Sequence, residues 1–237
     1  MPTFSKIRRL KHLAYKFGVH RVVPRRQLGF LHYAGAMSRW IREHRDLGYT
    51  DFPNARFDSG KRYGLYEHII ASEDLDGPVD YLEFGVSTGE SFRWWVKRIG
   101  HADARFYGFD TFTGLPEAWG PFPVGAMGNG NAPPQIDDAR VSFHQGLFQQ
   151  TLYPFLDGFD DARRKVIHLD ADLYSATLFV LTTLSRHLRP GDILLFDEFN
   201  VPMHEFRAFS AWVEAFYVEY EVLGEVNNYY QVGMKVR

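Results

Sequence analysis

Asp170 and Asp172 end the run HLDADLY, and Asp197 and Glu198 end the run ILLFDEFN. Both runs open with apolar residues of strand type, so both pairs of acids fall at the ends of buried strands. Carboxylates in that setting are costly unless they are paired or bound to a cation. No arginine or lysine adjoins either pair in sequence. A hard, oxygen-liganded cation, most economically Mg²⁺, would satisfy all four. The same acids also fit a plainer role as helix caps and turn residues, because strand ends commonly lead into caps.

A second group lies in VDYLEFGVSTGESF, residues 79–92. Its centre, GVSTG, fits the G-x-S-x-G pattern of a hydrolase nucleophile elbow. That reading needs an acid and then a histidine after Ser87. The last histidine is His204, only six or seven residues beyond Asp197 and Glu198, and no HGGG-type loop precedes Ser87. The other reading is a glycine-rich turn that holds a nucleotide-like cofactor at a helix N-terminus. Glu83, Phe84 and Gly85 then end a strand, and Ser87, Thr88 and Ser91 add hydroxyl donors at the helix start. Asp110 ends the next strand, where an acid can accept both hydroxyls of a ribose. The dinucleotide pattern G-x-G-x-x-G is absent, and an acidic Glu83 would repel a pyrophosphate. A cationic, amino-bearing ligand suits the turn better, which favours S-adenosylmethionine over NAD.

The elements that must position these residues follow from the apolar patterning. Residues 3–17, 30–46 and 63–72 read as helices. Strands are expected in VDYLEFG, RFYGFDTF, VSFHQGLF, KVIHLDADL and DILLFDEF. Helices are expected in ESFRWWVKRIG, TLYPFLDGF, YSATLFVLTTLSRHL and HEFRAFSAWVEAF. Asn227-Asn228 joins YEVLGEVNN to YYQVGMKVR as a hairpin signal. The alternation predicts an α/β fold: a Rossmann-like, mostly parallel sheet with helices on both faces and a C-terminal antiparallel hairpin. Residues 1–60 form a basic helical arm or cap, and 61–237 form the main domain. The Gly- and Pro-rich segment 114–134 reads as a long loop of lid type.

Charge is unevenly spread. Residues 1–42 carry ten of the 27 Lys/Arg and no Asp or Glu, which leaves 17 basic and all 29 acidic residues for the rest. A basic arm packed on an acidic body, across a dimer, is one reading. A peripheral contact with an anionic membrane surface is another. No nucleic-acid motif accompanies the charge, so no nucleic-acid partner is expected. An Arg-rich, acid-poor start also fits an organelle transit peptide. With no apolar h-region and no membrane-length run, a cytoplasmic location is expected. The absence of cysteine excludes disulfides, thiolate metal sites and a cysteine nucleophile.

The segments LEFGVSTGES, FYGFDTFTGLP, FHQGLFQQTL, IHLDADLYSAT and ILLFDEF together resemble the macrocin O-methyltransferase family. The resemblance spans about residues 60–235. It implies a seven-stranded, class I methyltransferase that uses S-adenosylmethionine and Mg²⁺ to methylate a sugar or polyol hydroxyl. It further implies Asp170, Asp197 and Glu198 as metal ligands, Asp172 as general base, and Glu83, Gly85 and Asp110 as cofactor positions. One position departs: the second acid of the ILLFDEF pair is often aspartate in the family and is Glu198 here. His144 and His168 are alternative bases that strand position also allows. A catechol-type methyltransferase and a cofactor-binding protein without catalysis are the rival readings.

Overall fold

The computed structural model describes residues 4–54 and 56–237. The start of the first expected helix at residue 3, and Ala55 in the arm, lie outside them. Seven strands form one sheet: β1 (Val79–Phe84), β2 (Arg105–Asp110), β3 (Val141–Gln145), β4 (Arg164–Leu169), β5 (Ile193–Phe196), β6 (Tyr220–Val226) and β7 (Gln231–Val236). The spatial order is β3-β2-β1-β4-β5-β7-β6. Strands β1 to β5 pair in parallel, and β7 pairs antiparallel with both β5 and β6. The expected α/β sheet and its closing hairpin are both present. Asn227, Asn228 and Tyr229 all take positive φ at the hairpin turn, a conformation that asparagine tolerates better than most residues.

Two apolar layers sandwich the sheet. On one face α3 (Lys61–Glu73) and α4 (Glu90–Arg98) bury Tyr66, Ile69, Phe92 and Trp95 against Tyr81, Phe106 and Leu195. On the other, α5 (Phe148–Leu156), α6 (Tyr174–Leu184) and α7 (Glu205–Phe216) bury Leu152, Leu181, Phe209 and Trp212 against Leu82, Phe109 and Leu194. Every residue of β1 is buried, Asp80 and Glu83 included, as in a parallel strand covered on both faces.

Helix α5 starts three residues before its expected position. The Gln150 side chain accepts the Leu147 N–H at 3.2 Å, which caps the helix ahead of Thr151. In the arm, α2 (Arg25–Glu43) docks on the second layer through Met37 and Trp40, whereas α1 (Phe4–Lys16) buries no residue. Trp40 donates its indole N–H to the Tyr220 hydroxyl at 2.8 Å. Residues 50–52 then strap the hairpin, with Thr50 and the Asp51 and Phe52 amides all bonded to the Glu225 carboxylate. No helix among the described residues is long and apolar enough to cross a membrane.

Candidate active site

Register fixes the site. Phe84 pairs with Phe109 on one side and with Leu169 on the other, and Leu169 pairs with Phe196. The residues one step further therefore form a row across four strand ends: Asp110, Gly85, Asp170 and Asp197. Backbone bonds continue the ladder there, from Gly85 N–H to Phe109 C=O, Asp170 N–H to Phe84 C=O, and Asp197 N–H to Leu169 C=O. The order of strands reverses between β1 and β4, and ligands of open α/β sheets bind beyond the strand ends at such a switch point.

A cavity of about 850 Å³, partly continuous with solvent, opens over this row. Of the sequence-derived residues it is lined by Gly85, Ser87, Asp110, Asp170 and Asp172. Gly85 has φ of +101°, and a Cβ on it would stand 1.7 Å from the Asp170 carbonyl oxygen, so only glycine lets β1 and β4 close here. Ser87 and Asp172 both hold positive φ, +47° and +56°. Non-glycine residues in that region are costly and gather at functional sites. Asp110 accepts the Ser87 N–H through Oδ2 and the Phe112 N–H through Oδ1, each at 2.7 Å. It therefore shapes the turn and keeps lone pairs for a ligand.

Glu83, Phe84, Thr88, Ser91, Asp197 and Glu198 do not line this cavity. Phe84 belongs to the layer beneath α5 and α6, stacked 4.7 Å from Phe109. Glu83 is fully buried on the opposite face, where it accepts hydrogen bonds from the Tyr81 hydroxyl and, at 2.8 Å, from Ser91 Oγ. It stands behind the turn as a brace between β1 and α4. The Thr88 carbonyl accepts a bond from Arg93. The Ser87 hydroxyl meets only the Met127 carbonyl, at 3.4 Å, and no histidine lines the cavity; Ser87 lacks the base a nucleophile needs.

Segment 114–134 forms no helix or strand, apart from a single bridge between Trp119 and Phe122. It lies on the turn after β1: Asn129 Nδ2 donates to the Ser87 carbonyl at 3.2 Å, and Leu115, Pro116 and Met127 wall the cavity. Leu147, Phe148 and Gln149 add to the wall, together with Leu173, Ser175 and Ala176 from the start of α6. Sequence reading missed the first three, although they follow β3 and so fall at the next strand end in the row.

The four acids of the two strand-end pairs are all buried or half-buried. Burial pushes Asp170 well above the ordinary carboxylate range, and its neighbours Asp197, Asp172 and Glu83 push it further. Burial, then Asp197 and Asp110, pushes Asp172 up to about 7. Burial, then Asp170 and Asp197, raises Glu198 strongly. The sequence did not reveal two further members. Glu205, at the start of α7, has no exposure, and its Oε2 accepts the Glu198 N–H at 3.0 Å. Arg62, from α3, reaches Asp197 Oδ2 with Nη1 at 2.9 Å.

Asp197 Oδ1, Glu198 Oε2 and Glu205 Oε1 are buried oxygens without a hydrogen-bond partner. Buried carboxylate oxygens without a partner are donors of the kind that a hard divalent cation takes. His168, Asp170 and Asp197 each offer a ligand atom within 4.8 Å of the others. His168 is otherwise engaged: Nε2 lies 3.2 Å from the Tyr66 hydroxyl and Nδ1 lies 2.7 Å from that of Tyr81. Among the described residues neither Glu198 nor Glu205 joins that group, so the carboxylates brought within reach of one another are Asp170 and Asp197. His144 is stacked on Phe109 at 4.7 Å, and burial lowers its pKa.

Comparison with known proteins agrees with this geometry. Residues 82–199, from β1 to just beyond β5, match a family described as "Methyltransferase domain". The mycinamicin III 3''-O-methyltransferase of Micromonospora griseorubida is 26% identical over 211 residues, covering 74% of this chain and 80% of that protein. The 8-demethyl-8-(2,3-dimethoxy-alpha-L-rhamnosyl)-tetracenomycin-C 4'-O-methyltransferase of Streptomyces olivaceus is 27% identical over 180 residues, covering 62% and 65%. The solved calicheamicin methyltransferase CalS11 shares the fold, with a TM-score of 0.60 at 20% identity over 75% of this chain and 80% of its own. The switch-point cavity and these relatives together identify the chain as a class I, S-adenosylmethionine-dependent O-methyltransferase.

Proposed function

We propose that the protein methylates a hydroxyl of a sugar or related polyol, with Asp172 as general base and Mg²⁺ held by Asp170, Asp197 and Glu198. The observation that carries this reading is the row of strand ends, which puts the cofactor cavity and the orphaned acids side by side. Both relatives are named as O-methyltransferases, one of them for a rhamnosyl-bearing substrate, which supports a sugar-bearing acceptor.

Gly85 and the positive-φ turn at Ser87 let a cofactor approach the β1 backbone, and Asp110 stands where ribose hydroxyls would be accepted. A sugar hydroxyl is a poor nucleophile at neutral pH. A divalent cation supplies positive charge for an alkoxide oxygen. Asp172 lines the cavity and removes the hydroxyl proton, a step in which a positioned base contributes roughly 10²–10⁴-fold. Asp170, on the same loop, fixes the distance between the base and the acid cluster. Segment 114–134 walls one side of the cavity through Leu115, Pro116 and Met127.

The test is methyl transfer from labelled S-adenosylmethionine to nucleotide sugars, glycosides and catechols, with Mg²⁺ or with EDTA. Transfer to a sugar hydroxyl that stops in EDTA is the expected result. Transfer to catechols alone, or undiminished turnover in EDTA, overturns it.

A further inference from the structure

Five carboxylates meet at the β4 and β5 ends: Asp170, Asp172, Asp197, Glu198 and Glu205. Among the described residues, only one Lys or Arg forms a salt bridge with any of them, and that is Arg62 with Asp197. Arg62 is held for the purpose. Its Nε donates to the Ser59 carbonyl at 3.1 Å, and its Nη1 lies 2.9 Å from Asp197 Oδ2. Its side chain is mostly buried. Burial works against its charge, but Asp197, Tyr66, Asp170 and Glu198 outweigh this and hold its pKa above the ordinary value. The guanidinium contacts Asp197 and also feels the charges of Asp170 and Glu198.

A divalent ion on Asp197 Oδ1 would sit beside a guanidinium bound to Oδ2 of the same carboxylate, and like charges at such separations repel. Resting on the metal reading above, we propose that Arg62 is the resident counter-cation of the metal-free site, and that divalent loading works against the Arg62–Asp197 pair. The contact has a further reach. Tyr63, the next residue, donates its hydroxyl to Glu90 Oε1 at 3.0 Å, and Glu90 is the first residue of α4, just past the cofactor turn. One turn of α3 thus touches both Asp197 and the first residue of α4.

The experiment is titration of the full-length, chelator-treated protein with Mn²⁺, followed by the electron paramagnetic resonance signal of free Mn²⁺, with Mg²⁺ as competitor. Arg62→Gln and Arg62→Met are compared with the wild type, and urea denaturation checks their fold. The expected result is Mn²⁺ affinity raised roughly tenfold or more in both variants, since a close like charge has been removed. Equal or weaker affinity in the variants overturns the proposal and leaves the metal reading standing, because Arg62 would then merely orient Asp197. Absence of Mn²⁺ binding in wild type and variants alike overturns both. A second readout uses the wild type alone: the side-chain ¹⁵N signals of its arginines, of which one ion-paired guanidinium is expected to lose its protection from exchange when Mg²⁺ is added. An unchanged set of signals at saturating Mg²⁺ also overturns the proposal.

Discussion

Glu205 accepts the backbone N–H of Glu198 at 3.0 Å from a position with no solvent exposure. The first residue of α7 is thereby tied to the acid-bearing end of β5. Removing the carboxyl in Glu205→Ala orphans a buried amide, which costs about 1–3 kcal/mol, and frees the Glu198 backbone. We expect urea denaturation to show a loss of that order, with a fall in turnover. Glu205→Gln keeps an oxygen acceptor of the same reach and restores the stability. If alanine and glutamine destabilise equally, the amide contact is not what Glu205 provides.

Asp172→Asn tests the base. Turnover is expected to drop roughly 10²–10⁴-fold, while affinity for S-adenosylhomocysteine, measured by calorimetry, stays within about twofold because no hydrogen bond to the cofactor turn is lost. Without metal, burial, Asp197 and Asp110 push Asp172 up to about 7. A base must be unprotonated, so turnover falls as pH drops through the neutral range. A bound cation favours the carboxylate and moves that fall to lower pH. A pH–rate profile of Asp172→Asn with the wild-type acid limb would assign the limb elsewhere.

The raised carboxyls also give the metal-free protein a pH-dependent stability. A carboxyl whose pKa is raised on folding binds more protons when folded than when unfolded, so stability falls as pH rises between the two values. For Asp172 that window runs from 3.8 to about 7, and Asp170 and Glu198 are raised in the same direction. Glu73 and Asp138 are lowered, by Lys235 and Arg164 against burial for Glu73 and by Arg140 for Asp138, and lose their contribution only below the ordinary carboxylate range. In EDTA the melting temperature is therefore expected to be higher near pH 5 than near pH 7.5. Mg²⁺ at pH 7.5 should recover the difference, with protons released on binding. Calorimetry in two buffers of different ionisation enthalpy measures that release.

Gly85→Ala tests the turn. Positive φ costs a non-glycine residue about 1–3 kcal/mol, and the new Cβ would sit 1.7 Å from the Asp170 carbonyl. Loss of at least that much stability, together with loss of S-adenosylhomocysteine binding, is expected. Gly100, where a Cβ meets nothing within 4 Å, is the control; Gly100→Ala should leave binding unchanged.

Much of this was readable in the residues themselves. Parallel strands all present their carboxyl ends at one edge, so Gly85, Asp110, Asp170 and Asp197 could be put in one row from the strand pattern alone. The pleat also carries a signal that was available but easy to miss: residues alternate across a strand, so Glu83 shares a face with Tyr81, while Phe84 shares the other with Leu82. What the pattern does not contain is which helix residues come to meet the row. Arg62 is 135 positions from Asp197 in numbering, and Glu205 lies beyond a loop. Both reach the cluster because α3 and α7 pack where Tyr66, Ile69, Phe206 and Phe209 are buried. Local spacing determined the strand ends and the acids on them. Tertiary packing decided which charge faces those acids, because burying carboxylates forces the fold to bring a partner from wherever the chain can supply one.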